Sequence, residues 1–267
     1  MEPIRLMNVL LIGIFLAAVI WLFRGDRQAG HVRTVTWLFL GATSISWMEA
    51  VWDWVLYYRF NPDVFWLWPD TIPVLGMAGG WPIIMPMIYG PWFVLLNYVT
   101  AKQLVVRNMS LKNIAFFALI LGAVEEFALE IPFLFLDVYA YTRSIPGANF
   151  FTGTQQQYPF EVPILMAPVM AFITVFIAVS MRRQKALADG TATAARSTNT
   201  LWSKFSELRA FGGSDDRKGI NAISVIVASH IVFCIPMIPA LIIRFAGWRT
   251  QIGDIAPFGY MPYTFPF

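Results

Sequence analysis

The chain has 267 residues, of which 58% are hydrophobic and only 13% charged, and its formal net charge is +3. Because several long apolar runs accompany this composition, the sequence predicts a polytopic integral membrane protein and argues against a soluble domain. The basic residues form no continuous stripe, so nucleic acid is not an expected partner.

Six apolar stretches have about 18 to 25 residues, the length needed to cross a hydrocarbon core of roughly 30 Å. They cover residues 6–23, 34–58, 83–101, 111–135, 160–181 and 220–243. Each is assigned as a helix because lipid offers the backbone no hydrogen-bond partner. We therefore expect a single all-α bundle of about six transmembrane helices over residues 1–267. Kinked or locally opened backbone is expected in the fifth and sixth helices, at Pro163, Pro168, Pro236 and Pro239.

The basic residues also predict the orientation of the bundle. Most of the 19 lysines and arginines fall in the loops of one side. The positive-inside rule places that side in the cytoplasm. Both termini are therefore expected to be extracytoplasmic.

The long connecting segments differ in character. Residues 184–200 are small and polar, which predicts a flexible inner linker. Residues 201–212 gather apolar side chains on one helical face, which predicts an interfacial helix or, equally, a helix packed on the bundle's own loops. Two outer segments, 61–82 and 138–158, are rich in aromatic residues and proline and are expected to fold as lids.

Carboxylates within or at the ends of the predicted spans are the most informative polar residues, because acids in a membrane are costly. They are Glu49, Asp53, Glu125, Glu126, Glu130 and Glu161. The predicted topology brings all of them toward the outer face. The pairs Glu49/Asp53 and Glu126/Glu130 are spaced i, i+4, so the members of each pair share a helix face, whereas Glu125 points roughly 100° away from Glu126.

Few basic residues are available to neutralise these acids, the nearest on the outer side being Arg59 and Arg143. Crowded carboxyls in a low dielectric differ in protonation, which is the arrangement that general acid–base chemistry requires. For Glu125 and Glu161 taken alone, a side chain that faces water or pairs with an arginine is the commoner explanation.

A metal site is a further option for an acid-rich cluster, but the Glu-x-x-His signature of di-iron bundles does not occur in the sequence. The two histidines are His31, in an inner loop, and His230, in the sixth stretch. His230 is a candidate proton shuttle or hydrogen-bond donor, or else a satisfied core histidine. Neither a metal nor another cofactor is predicted.

The order of aromatic and acidic motifs between residues 49 and 164 resembles the AveC-like spirocyclase family, which comprises polytopic actinobacterial membrane proteins. The motifs that carry the resemblance are 52–62, 65–69, 130–132, 138–141, 146–154 and 157–159. A place in the bacterial cytoplasmic membrane is what this resemblance implies.

The resemblance further implies cofactor-independent cyclisation and dehydration of a hydrophobic polyketide- or lipid-like substrate, with a dihydroxyketone closing to a spiroketal. The acid–base candidates are Asp53, Glu49, Glu126 and Glu130. Substrate contacts are expected from Tyr58, Trp52, Trp54, Tyr139, Tyr141, Gln157, Glu125, Glu161 and His230. A protein that binds or transports a hydrophobic ligand without catalysis remains the alternative, as does a scaffold whose acids bind only backbone or water.

Overall fold

The computed structural model describes residues 3–68, 81–188 and 218–251. Helices make up most of this part of the chain, and short strands connect several helix ends. The helices are α1 (Pro3–Ala29), α2 (Thr34–Ile45), α3 (Glu49–Leu56), α4 (Ile84–Gly90), α5 (Asn97–Val106), α6 (Leu111–Phe135), α7 (Glu161–Ala188), α8 (Lys218–Cys234) and α9 (Met237–Phe245). A 3₁₀ turn (Ser46–Met48) joins α2 to α3, and a π-helical stretch (Pro91–Leu96) joins α4 to α5.

Four helical segments of the described ranges are long and apolar enough to cross a membrane. They are Pro3–Ala29, Ile84–Val106, Glu161–Arg182 and Val225–Phe245. The second predicted span is interrupted by the 3₁₀ turn, so neither α2 nor α3 alone has the required length. The fourth predicted span, α6, is one helix of 25 residues, but it carries three glutamates. The mostly helical architecture agrees with the sequence, whereas the count of six spans stays a prediction.

Prolines interrupt the helices at two places. In the last segment the break falls at Ile235 and Pro236, between α8 and α9, where the sequence predicts one. In contrast, α7 continues through Pro168, and Pro163 lies in its first turn, where a missing N–H costs little. The other break is not among those predicted, since Pro91 begins the π-helical stretch within the segment Ile84–Val106.

Glycines allow the closest approach between helices. A Cβ added at Gly122 of α6 would lie 2.7 Å from the Cβ of Met170 in α7. One added at Gly41 of α2 would lie 2.5 Å from the Oγ of Ser229 in α8. Small residues at helix crossings are typical of membrane bundles, where close backbone contact replaces the hydrophobic driving force.

Short antiparallel strands organise the aromatic connecting segments where these are described. β1 (Tyr58–Phe60) pairs with β4 (Tyr139–Tyr141), and β2 (Trp66–Trp68) pairs with β3 (Trp81–Pro82). β5 (Arg143–Ser144) pairs with β8 (Thr250–Gln251), and β6 (Asn149–Phe150) with β7 (Tyr158–Pro159). The pairing of β1 with β4 holds the chain that leaves α3 beside the chain that leaves α6.

The segment between α7 and α8 is described only at its start. Residues 184–188, which belong to the predicted linker, continue α7 as helix. The rest of that linker and the predicted helix at 201–212 lie outside the described residues.

Candidate active site

A pocket lies between α3, α4, α6, α7 and strand β4. Three of its lining side chains are carboxylates from two separate helices. Glu49 begins α3, whereas Glu126 and Glu130 lie one turn apart on α6. Glu49 is 6% exposed and Glu126 is 4% exposed. Acids that are distant in the sequence thus meet in one pocket, and the i, i+4 spacing explains why both acids of α6 reach it.

Tyrosine hydroxyls bind two of these carboxylates. Tyr89 of α4 donates a hydrogen bond to Oε2 of Glu49. Tyr141 of β4 donates to Oε2 of Glu130 over 2.7 Å. Oε2 of Glu126, by comparison, accepts no hydrogen bond from the described residues. A buried polar atom left in this state is a candidate contact for a ligand.

The tyrosines around Glu130 lie on the connecting strands rather than on the helices. Tyr139 and Tyr158 approach the same carboxylate as Tyr141. Burial raises the pKa of all three hydroxyls well above the usual value of 10.0, and the charge of Glu130 raises it further. The three phenols are therefore neutral at ordinary pH and are able to donate hydrogen bonds.

Apolar and aromatic side chains form the rest of the pocket wall. Trp52, Trp92, Phe93 and Phe133 are its large aromatic members. The buried indole N–H groups of Trp52 and Trp92 have no acceptor among the described residues, so a ligand oxygen would complete their hydrogen bonding. Apolar walls with a few convergent polar groups are typical of small-molecule sites.

Comparison with known families relates this pocket to a protein class. A family model described as "Spirocyclase AveC-like" matches residues 32–234, a range that contains every residue of the pocket. The chain belongs to the AveC-like spirocyclase family. The resemblance seen between residues 49 and 164 is thereby confirmed, and the family supports a cyclase role. Neither a curated protein nor a solved structure matches the chain.

The segment Ile84–Val106 gives this AveC-like protein pocket residues that the sequence does not predict. Tyr89, Trp92 and Phe93 surround Pro91, where α-helix gives way to π-helix. Proline cannot donate the hydrogen bond to the preceding turn, and π-helical turns are frequent at functional sites. A proline close to a tyrosine within an apolar stretch is the signal that would have found them.

Asp53 and Trp54 do not line the pocket of this AveC-like protein. Asp53 is buried one turn after Glu49 on α3. The ring of Trp54 packs against Arg244 instead, with the guanidinium carbon 3.9 Å from the ring centroid. A spacing of four fixes a shared helix face but not which member of the pair faces a cavity. A catalytic role for Asp53 stays a prediction.

Two further acids contact other residues. Glu161, at the start of α7, accepts a hydrogen bond of 3.0 Å from Nε of Arg249. Burial lowers the pKa of the Arg249 guanidinium, and the charge of Glu161 opposes that effect. Glu125 is directed away from Glu126 and bonds to Thr100 of α5. The structure therefore brings neither Glu161 nor Glu125 into the pocket, although both are among the predicted substrate contacts.

Two more of the predicted contacts, His230 and Gln157, do not line the pocket. The ring of His230 bonds at Nδ1 to the carbonyl of Ile226 over 2.8 Å, and its Nε2 lies 3.3 Å from the indole N–H of Trp47. Gln157 is buried near the start of β7, and the backbone of Tyr58 belongs to β1. Within the described ranges, no three His, Cys, Asp or Glu side chains are grouped to hold a metal ion.

Proposed function

We propose that this AveC-like protein is a membrane-embedded, cofactor-independent cyclase and dehydratase. It uses carboxyl acid–base chemistry on a hydrophobic polyketide- or lipid-like substrate, and spiroketal formation is the proposed reaction. The observation that carries this proposal is the meeting of Glu49, Glu126 and Glu130 in one largely apolar pocket. Its occurrence in a member of a spirocyclase family supports the same conclusion.

Embedding in the membrane is supported by the four long apolar helices and by their outward-facing side chains. On α1, for example, Leu6, Leu10 and Phe23 are all more than half exposed. An exposed apolar surface of this kind is costly in water and favourable in lipid. A substrate dissolved in the bilayer would then reach the pocket without crossing water.

The proposed reaction converts a ketone that carries two hydroxyl groups into a spiroketal and one molecule of water. A carboxyl group gives its proton to the ketone oxygen while the first hydroxyl attacks the carbonyl carbon and passes its own proton to a carboxylate, which yields a hemiketal. The hemiketal hydroxyl is then protonated and leaves as water. The resulting oxocarbenium ion is attacked by the second hydroxyl, whose proton passes to a carboxylate.

The hydrogen bonds of the pocket suggest how its acids divide these tasks. Glu126 suits the proton donor, because its Oε2 has no partner among the described residues and is available to a substrate oxygen. Glu49 and Glu130 each accept a phenol hydrogen bond, which stabilises a negative charge. They suit the proton acceptor and the carboxylate that stabilises the oxocarbenium ion.

Neighbouring glutamates of α6 provide a matched test of this function. Membrane extracts of cells that express the protein are compared by mass spectrometry with those of cells expressing Glu126→Gln or Glu125→Gln. We expect Glu126→Gln to lower product formation by about 10²- to 10⁴-fold, the usual contribution of a general acid or base, and Glu125→Gln to retain most of it. Thermal unfolding verifies that both variants are folded.

Two results would overturn the proposal. One is unchanged product with Glu126→Gln, and the other is an equal loss with both variants. A hydrophobic molecule that copurifies unaltered, in cells whose extracts show no product, would instead favour the alternative of a binding or transport protein.

A further inference from the structure

A second cavity lies beside the pocket, between α2, the π-helical stretch, α7 and α8. Its walls are aliphatic and aromatic side chains, and the hydroxyl of Ser229 is the polar exception among them. That hydroxyl already donates a 2.8 Å hydrogen bond to the carbonyl of Val225 in its own helix. The cavity therefore offers a ligand contact area but no hydrogen-bond donor.

Phe93 lies between this cavity and the carboxylate pocket and lines both spaces. The ring lies 5.0 Å from that of Tyr89 and 5.7 Å from that of Phe233, measured between centroids. Its neighbours in the sequence divide between the two spaces, Trp92 lining the pocket and Val94 lining the cavity. The π-helical stretch thus forms a wall between the carboxylate pocket and the cavity, and Phe93 is the residue of that wall that lines both.

We propose that the cavity is a subsite for the hydrocarbon tail of the substrate, whose reacting polar end occupies the carboxylate pocket. This inference rests on the proposed function and narrows it to long-chain amphiphilic substrates. A polar group in the cavity would lose its water without gaining a partner. Each methylene group buried there improves binding by about fourfold. Because Phe93 lines both spaces, the cavity adjoins the pocket, and this adjacency ties it to the substrate in preference to the acyl chain of an unrelated lipid.

Neighbouring residues of α8 provide a matched pair of variants. Ala228 lines the cavity, so Ala228→Leu fills part of it, whereas Val227 is 49% exposed on the outer surface of the helix, so Val227→Leu adds bulk outside. The probes are synthetic dihydroxyketones with one unbranched alkyl tail, from butyl to hexadecyl. Their binding to the purified full-length protein is measured by tryptophan fluorescence, and their cyclisation is measured by mass spectrometry.

With wild type and Val227→Leu, we expect affinity to rise by about fourfold per methylene and then to level off once the cavity is full. With Ala228→Leu, we expect the plateau at a tail shorter by two or more methylenes and at least about tenfold weaker binding of the longest tails, with binding of the butyl probe unchanged. Thermal unfolding confirms that each variant is folded.

The two proposals fail in distinguishable ways. If the probes cyclise but their affinity does not depend on tail length, the subsite proposal is refuted and the cyclase proposal is unaffected. If affinity depends on tail length and Ala228→Leu shortens the tail at which it levels off, but no probe is turned over, the result would support the subsite and count against the cyclase. A phospholipid that stays bound in equal amount when the hexadecyl probe saturates the protein would overturn the subsite, because the cavity would then belong to a structural lipid.

Discussion

The buried ion pair between Arg249 and Glu161 gives a stability prediction that the structure allows us to quantify. Their side chains are only 1% and 10% exposed, Nε and Oε1 are 3.0 Å apart, and the Arg249 Nη1 also donates to the carbonyl of Val55 over 2.8 Å. Arg249→Met would leave Glu161 buried without its cation, which costs about 3–5 kcal/mol. Out of a total free energy of unfolding of about 5–15 kcal/mol, this is a large fraction.

Thermal unfolding of the purified protein in detergent tests this expectation. We expect Arg249→Met to lower the Tm by about 10 °C, from a loss of 2–4 °C for each kcal/mol in a domain of comparable size. Removing both charges, in Glu161→Gln with Arg249→Met, should recover at least half of the loss, because no unpaired charge then stays buried. Arg107→Met, at an exposed arginine, serves as the control and should leave Tm unchanged.

The reasoning would be refuted if Arg249→Met unfolded at the wild-type temperature, or if the double variant were no more stable than the single one. Val162 and Leu56, which line the pocket, follow Glu161 and Val55 in the sequence. We therefore also expect Arg249→Met to weaken ligand binding in the pocket.

Two further predictions concern the phenols and the helix crossings. Burial raises the pKa of Tyr139, Tyr141 and Tyr158 above 10.0 in the folded protein. As the pH rises above about 10, the unfolded chain therefore loses these protons before the folded protein does. The contribution of the three phenols to stability is complete below a pH of about 10 and is lost above it. Denaturation between pH of about 9 and about 11 should show a falling free energy of unfolding with a shallower slope in Tyr141→Phe, and a flat profile would contradict it. Gly122→Ala forces a Cβ to 2.7 Å from that of Met170 and should destabilise the protein by about 1–3 kcal/mol. The control is Gly13→Ala, whose added Cβ meets nothing within 4 Å and should stabilise the protein slightly. Equal effects of the two variants on the free energy of unfolding would show that α6 and α7 are not in close contact.

Local sequence pattern was sufficient to predict which acids share a helix face when those acids lie on one helix. The spacing of Glu126 and Glu130 predicts that both reach the same space, and the structure places both in the pocket. The pattern also places Glu125 on another face, where it bonds Thr100. Helical periodicity is a property of the backbone, so it holds whatever the helix packs against.

Contacts between distant segments could not be read in this way. Arg249 lies 88 positions after Glu161, and the sequence analysis considered only Arg59 and Arg143 as partners for the acids. Tyr89 reaches Glu49 from another helix, 40 positions away. Such pairs depend on how the helices pack. Hydrophobic periodicity carries no information on which polar side chains of different helices come into contact. Asp53 illustrates the same limit, since packing decides which acid of an i, i+4 pair faces the pocket.

The proposed chemistry requires Glu49 and Glu126 to act on the same bound substrate, and a double-variant cycle of turnover tests this most directly. Rates of spiroketal formation are measured for wild type, Glu49→Gln, Glu126→Gln and the double variant, with Glu125→Gln as control. Residues that act as a unit are non-additive. We therefore predict that the double variant is about as slow as the slower single variant. Losses that multiply, or a Glu126→Gln variant as active as Glu125→Gln, would contradict the account.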